Sequence, residues 1–168
     1  MITSLVCLAF PLLLLYAAWH DVSTMWIPNW VSIGLGLAFI PAALLAGMSV
    51  QDIGMHLVVA GCVMLACVAL FFLNIFGGGD AKVIAAASLW IGLPAMAPFV
   101  FWMALAGGGL GIVLLVLRQM KLNPTREWSK RLLAPETGAP YAVAIAIGAL
   151  VAAPHSPLLA AGLAGLVA

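Results

Sequence analysis

The sequence predicts an all-α, polytopic transmembrane helical bundle, and three observations lead there. Of its 168 residues, 66% are hydrophobic and 7% charged, with a mean hydropathy of +1.25. A soluble domain carries roughly 25% charged residues, so this inventory is too poor in charge to cover a water-facing surface. Long apolar runs such as residues 57–73 are unbroken. Only helices and closed barrels satisfy their own backbone polar groups in lipid, and a barrel needs polar and apolar positions in alternation, which these runs lack.

A spanning helix needs about 20 mostly apolar residues. About six segments meet or approach that length, at residues 2–19, 29–47, 55–73, 81–96, 98–117 and 140–165. The first lacks the positive start of a signal peptide and reads as a retained span. Residues 20–29 form a polar break that holds Asp21 and ends in Ile27, Pro28 and Asn29; a proline here suits the first turn of the next helix. Residues 47–54, with Gln51 and Asp52, make a short turn, and residues 74–80 a glycine-rich one. Pro94 and Pro98 are expected to bend the chain between the fourth and fifth spans. The last segment is interrupted at residues 154–157 by Pro, His, Ser and Pro, which leaves a kinked sixth helix and a re-entrant end both open. Residues 1–168 read as one membrane-embedded domain in which Gly107, Gly108, Gly109, Gly111, Gly162 and Gly165 allow close helix approach.

Charge sets the expected orientation. The only substantial loop, at about 118–140, holds Arg118, Lys121, Arg126, Lys130 and Arg131, five of the six Lys and Arg residues. The positive-inside rule places it in the cytoplasm. Counting back puts residues 77–80 and 20–29 on the cytoplasmic side, residues 47–54 outside and the N-terminus outside. Asp21 and Asp80, far apart in sequence, are thereby expected at the same boundary of the inner (plasma) membrane. The net charge of +1 says nothing about partners by itself, and no nucleic-acid partner is expected.

Ionisable groups at membrane depth are costly and tend to be functional. Of the five acids, Glu127 and Glu136 fall in the basic loop and Asp52 in the outer turn, where solvation explains them. Asp21 and Asp80 remain, each abutting an apolar helix. Asp80 follows Gly77, Gly78 and Gly79, whose missing side chains permit a tight bend and close approach of another segment; its carboxylate suits a helix N-terminus. Taken singly, each acid reads better as a solvated or capping residue than as a functional one. Taken together, two close carboxylates share a proton, and one can act as base while the other acts as acid. Such a pair activates water against an amide carbonyl and protonates the leaving amine. No H-E-x-x-H or clustered Ser–His–acid set is present, so no other catalytic set is visible, and without a C-x-x-C pair a structural zinc site is not expected; the predicted chemistry calls for no cofactor. Cys7, Cys62 and Cys67 read as small hydrophobes in helices. His20 reads as an interfacial residue or one that tunes Asp21; His56 and His155 fall on the opposite side. Lys82 either pairs with a carboxylate or snorkels to the boundary.

Asp21 followed by Ile27, Pro28 and Asn29, then Gly77, Gly78, Gly79, Asp80, Ala81 and Lys82 on the next inward turn, resembles the type IV prepilin peptidase family of G-x-G-D intramembrane aspartic proteases. Gly77, Gly79, Asp80 and Lys82 fill that family's G-x-G-D-x-K motif, and Pro140 with Tyr141 resembles the proline–aromatic pair that opens its last helix. The resemblance implies Asp21 and Asp80 as the catalytic pair, with Gly77, Gly78, Gly79, Lys82, Pro28 and Asn29 in support. It further implies prepilin or pseudopilin precursors as partners, cleaved at the cytoplasmic face to remove a basic leader. The paired C-x-x-C insertion of larger, methylating members is missing, so the chain resembles the short, peptidase-only branch of Flp or tight-adherence pili. The competing expectation is a small transporter or pilus-assembly subunit in which the aspartates relay ions; it sits poorly with acids on one side only.

Overall fold

The computed structural model describes residues 2–75, 77–120, 125–134 and 137–164, and every regular element among them is helical. Lys121 and Glu136 of the basic loop, and Gly165, lie outside the described residues. Helices α1 (Ile2–Cys7) and α2 (Ala9–Thr24) form one apolar segment, Ile2–Thr24. They part at Leu8 because Pro11 has no N–H to offer the Cys7 carbonyl. The segment runs past its expected end at residue 19. The hydroxyls of Ser23 and Thr24 bond back to the carbonyls of Trp19 and His20, each at 2.8 Å. The chain turns only at Met25, in the left-handed conformation with φ 57°, and its N–H donates to the Asp21 carbonyl at 2.7 Å. Asp21 therefore sits on a helix, where a polar break was expected.

Pro28, extended, introduces α3 (Asn29–Leu45), and Ser49 caps α4 (Val50–Phe72) by accepting the Asp52 N–H at 3.1 Å. Helix α5 (Gly78–Gln119) has 42 residues but breaks at Gly92, with φ 66° and ψ 172°. That conformation is essentially confined to glycine, which is why the reversal falls here, ahead of the expected bend at residues 94–98. A straight helix of this length would part its ends by about 60 Å. Arg118 in the last turn instead bonds the carbonyls of Thr137 and Gly138, which line the same cavity as Asp80 in the first turn. The helix thus doubles back, as expected for separate fourth and fifth spans.

Two side chains close the break. Pro94 lacks an N–H, and the Trp90 carbonyl it would have bonded accepts from the Ser156 hydroxyl at 2.8 Å. His56 Nδ1 hydrogen-bonds the Leu89 carbonyl at 2.7 Å, and its ring stacks on Phe39. The basic loop carries a short helix, α6 (Glu127–Leu133), with an exposed Lys130–Glu127 pair at 2.7 Å. The last apolar stretch is α7 (Ala142–Ala152), a 3-10 turn (Ala153–His155) and α8 (Pro157–Ala164), so it is interrupted at the expected Pro-His-Ser-Pro segment.

Helix α5 packs most extensively on α7 and α4. A Cβ at Gly148 would stand 2.7 Å from the Met103 backbone nitrogen, so α7 and α5 touch main chain to main chain, the close packing that replaces hydrophobic driving force in lipid. Phe10, Phe39, Trp90 and Phe99 are fully buried. Leu12, Leu37, Leu57, Leu65, Phe72 and Leu105 are exposed over most of the length of the helices. Ile2–Thr24, Val50–Phe72 and Gly78–Gln119 are long and apolar enough to cross a membrane, and Asn29–Leu45 and Ala142–His155 are shorter apolar helices. An apolar exterior on this scale fits a lipid solvent and not water.

Candidate active site

Asp21 and Asp80 come to one place in the fold. Both line one cavity of about 470 Å³, together with Met25, Ile75, Gly77, Thr137, Gly138, Ala139 and Tyr141, and they stand near enough for the charge of one to act on the other. Asp21, from the last turn of α2, is 6% exposed. Its Oδ2 accepts the N–H of Ala142 at 3.0 Å. That donor is one of the free N–H groups at the start of α7, where a helix favours negative charge.

Asp80 is held from its own helix. Gly77 is the N-cap of α5, which makes Asp80 the third helical residue. Its side chain reaches back to the Gly77 backbone N–H, the backward half of a capping box. A Cβ at Gly77 would lie 2.9 Å from Asp80 Oδ2, so this glycine is what leaves room for the carboxylate. Each acid is thus fixed by one backbone N–H and faces a shared open space. Two carboxyls that face one cavity are placed to serve as acid and base on a group bound between them.

The other expected residues divide. Gly77 is in the cavity wall. Gly78 faces Phe71, and Gly79 lets Ile27 pack against the start of α5, with a Cβ position 3.4 Å from Ile27 Cβ. Pro28 is buried as the N-cap of α3. Lys82 turns away from the acids, and its Nζ donates to Asn29 Oδ1 at 2.9 Å. Residues two apart on a helix do not face each other, and Lys82 pairs with Asn29 where pairing with a carboxylate was one of its two expected roles. Lys82 and Asn29 line a separate groove with Leu57 and Met64. His20 hydrogen-bonds the Trp26 carbonyl at 2.7 Å and Thr24 Oγ1 at 2.9 Å, so it fastens the turn after α2. His56 belongs to the Gly92 break.

Three contributors carry little or no signal in the sequence. The N–H of Ala142 has no side-chain signature. Residues 137–139 form one wall of the cavity yet read as ordinary loop. Tyr141 lies in the same wall, within range of the Asp80 charge, and its ring fills the space a Cβ would take at Gly107, 2.6 Å from Cε2. The adjacent Pro140 and Tyr141 were the one available signal.

Residues 8–112 match the sequence model of the type IV leader peptidase family. No match to the chain was found among curated proteins or solved structures. The family match covers more than half of the chain and takes in both Asp21 and Asp80, and the chain therefore belongs to the type IV leader peptidase family, as a helical membrane peptidase.

Proposed function

We propose that the chain is an intramembrane aspartic endopeptidase that removes the basic leader from Flp-type prepilins or pseudopilins at the cytoplasmic face of the inner membrane. Asp21 and Asp80 are its catalytic pair. The observation that carries this reading is their convergence from two helices onto one cavity, each carboxylate anchored by a backbone N–H and both facing open space.

The chemistry rests on that arrangement. One carboxylate takes a proton from a water molecule as it attacks the scissile carbonyl. The other, protonated, hydrogen-bonds the carbonyl oxygen and then supplies the proton the leaving amine needs. Neither step requires a metal. The basic segment at about 118–140 supports a cytoplasmic position for the cavity and an N-terminus outside, since residues 137–139 of that segment line the cavity. A leader rich in positive charge would meet the two acids from that side.

The test incubates the purified protein in detergent or liposomes with a Flp-type prepilin and reads leader removal by gel shift and mass spectrometry. Cleavage by the wild-type protein and its loss in Asp21→Asn and in Asp80→Asn is the expected result. A product still formed at full rate by either variant would remove that aspartate from the mechanism.

A further inference from the structure

Arg118 reads from sequence as part of a topology signal, but its head group turns inward. It sits in the last turn of α5, half-buried, and makes no ion pair among the described residues. Its guanidinium donates to backbone and side-chain oxygens. Nε reaches the Leu132 carbonyl at 3.3 Å. Nη2 reaches the carbonyls of Leu132 at 3.0 Å, Thr137 at 2.8 Å and Gly138 at 3.0 Å, and Thr137 Oγ1 at 3.2 Å. A charged donor gives roughly twice the strength of a neutral one, and the rigid fork lets one side chain hold two segments at once.

Those acceptors lie on the stretch of chain that leads into the site. Residues 137–139 have no regular secondary structure and form the cavity wall facing Asp80. The same strap continues through Tyr141 into Ala142, whose N–H fixes Asp21. Thr137 adds only local bonds, from its hydroxyl to the carbonyls of Arg131 and Ala134 at 2.7 and 2.8 Å. Arg118 ties Thr137 and Gly138 to the returning arm of α5, ahead of the point where the Tyr141 ring packs on Gly107 of the same arm.

We propose that Arg118 is a positioning residue for the peptidase reaction: it clamps residues 137–139 against α5, and so sets the cavity wall and the Ala142 N–H in register with the two aspartates. The inference rests on the peptidase reading above. Its substrate-side meaning is that the extended strap, with Gly138 and Ala139 exposed, is the fixed surface past which the leader must lie.

The experiment pairs cleavage with a direct readout of the strap. Arg118→Lys keeps the charge, and with it the topology signal, but replaces the fork with a point donor. In a Cys62→Ser background, with Cys7 and Cys67 buried, a nitroxide on Ala139→Cys reports strap mobility by electron paramagnetic resonance. Arg118→Lys should lower kcat/KM on prepilin by about 10- to 100-fold, the cost of slight misplacement in a reacting site, and should narrow the spectral lines while helix content stays constant. Arg118→Ala should do more of both; if it fails to insert, Arg118→Lys decides alone. Unchanged cleavage, or lost cleavage with an unchanged spectrum, overturns the proposal. Wild-type protein that cleaves no prepilin sinks the peptidase reading instead, and the spectra then decide whether Arg118 holds the strap at all.

Discussion

The doubled-back α5 has two very different ends. At its turn, the break at Gly92 frees the Leu89 and Trp90 carbonyls, and His56 and Ser156 bond them. Trp90 and Phe39 pack there with no exposure, and Trp90 Nε1 donates to the Leu35 carbonyl at 2.9 Å. Where the two arms of α5 return, two acids face an open cavity, each with one backbone bond and capacity to spare. Buried polar groups that are fully paired specify shape. Polar groups held in place but left partly unpaired toward a cavity are positioned for a ligand or a reaction. Irregular backbone occurs at both ends, and only the partners tell structure from chemistry.

This contrast predicts that substitutions at one end cost activity and at the other cost stability. Asp80→Asn should lower prepilin cleavage by about 10²- to 10⁴-fold, leaving the melting temperature in detergent close to wild type. Gly92→Ala should do the reverse. It forces a side chain into a positive-φ position and sets a Cβ 2.5 Å from the His56 ring, costing about 1–3 kcal/mol for the backbone alone, read as a lower melting temperature. Ser156→Ala leaves the Trp90 carbonyl buried without its partner and should cost about 1–3 kcal/mol in the same melt, with the cleavage rate of the folded protein preserved. Lys82→Ala should be the mildest, within about 0.5 kcal/mol as an exposed substitution, because Lys82 contacts Asn29 and not the aspartates. A large cleavage defect in Lys82→Ala would blur the contrast by drawing the neighbouring groove into the site.

Much of this was legible from the residues. Long apolar runs placed the helices, and charge asymmetry brought Asp21 and Asp80 to one side on sequence alone. The triple glycine marked a crowded carboxylate, and Gly77 turned out to be the glycine that makes the room. What stayed hidden was hidden for physical reasons. Helix α2 runs through Asp21, with the Ser23 and Thr24 hydroxyls turned back onto its own carbonyls, where polarity alone suggested a break. Pro94 and Pro98 drew attention to the bend, yet the left-handed conformation at Gly92 makes it. The N–H of Ala142 belongs to backbone and leaves no trace in residue identity. Arg118 looked like one more positive charge, because only the fold reveals that its partners are carbonyls.

The most direct test of the central claim, that Asp21 and Asp80 work as one catalytic unit, is a double-mutant comparison of kcat for Asp21→Asn, Asp80→Asn and the two combined, on a purified prepilin. Groups that act as a unit are grossly non-additive, so each single variant should lose about as much as the double. Wild-type turnover in either single variant, or losses that simply multiply in the double, would contradict the account.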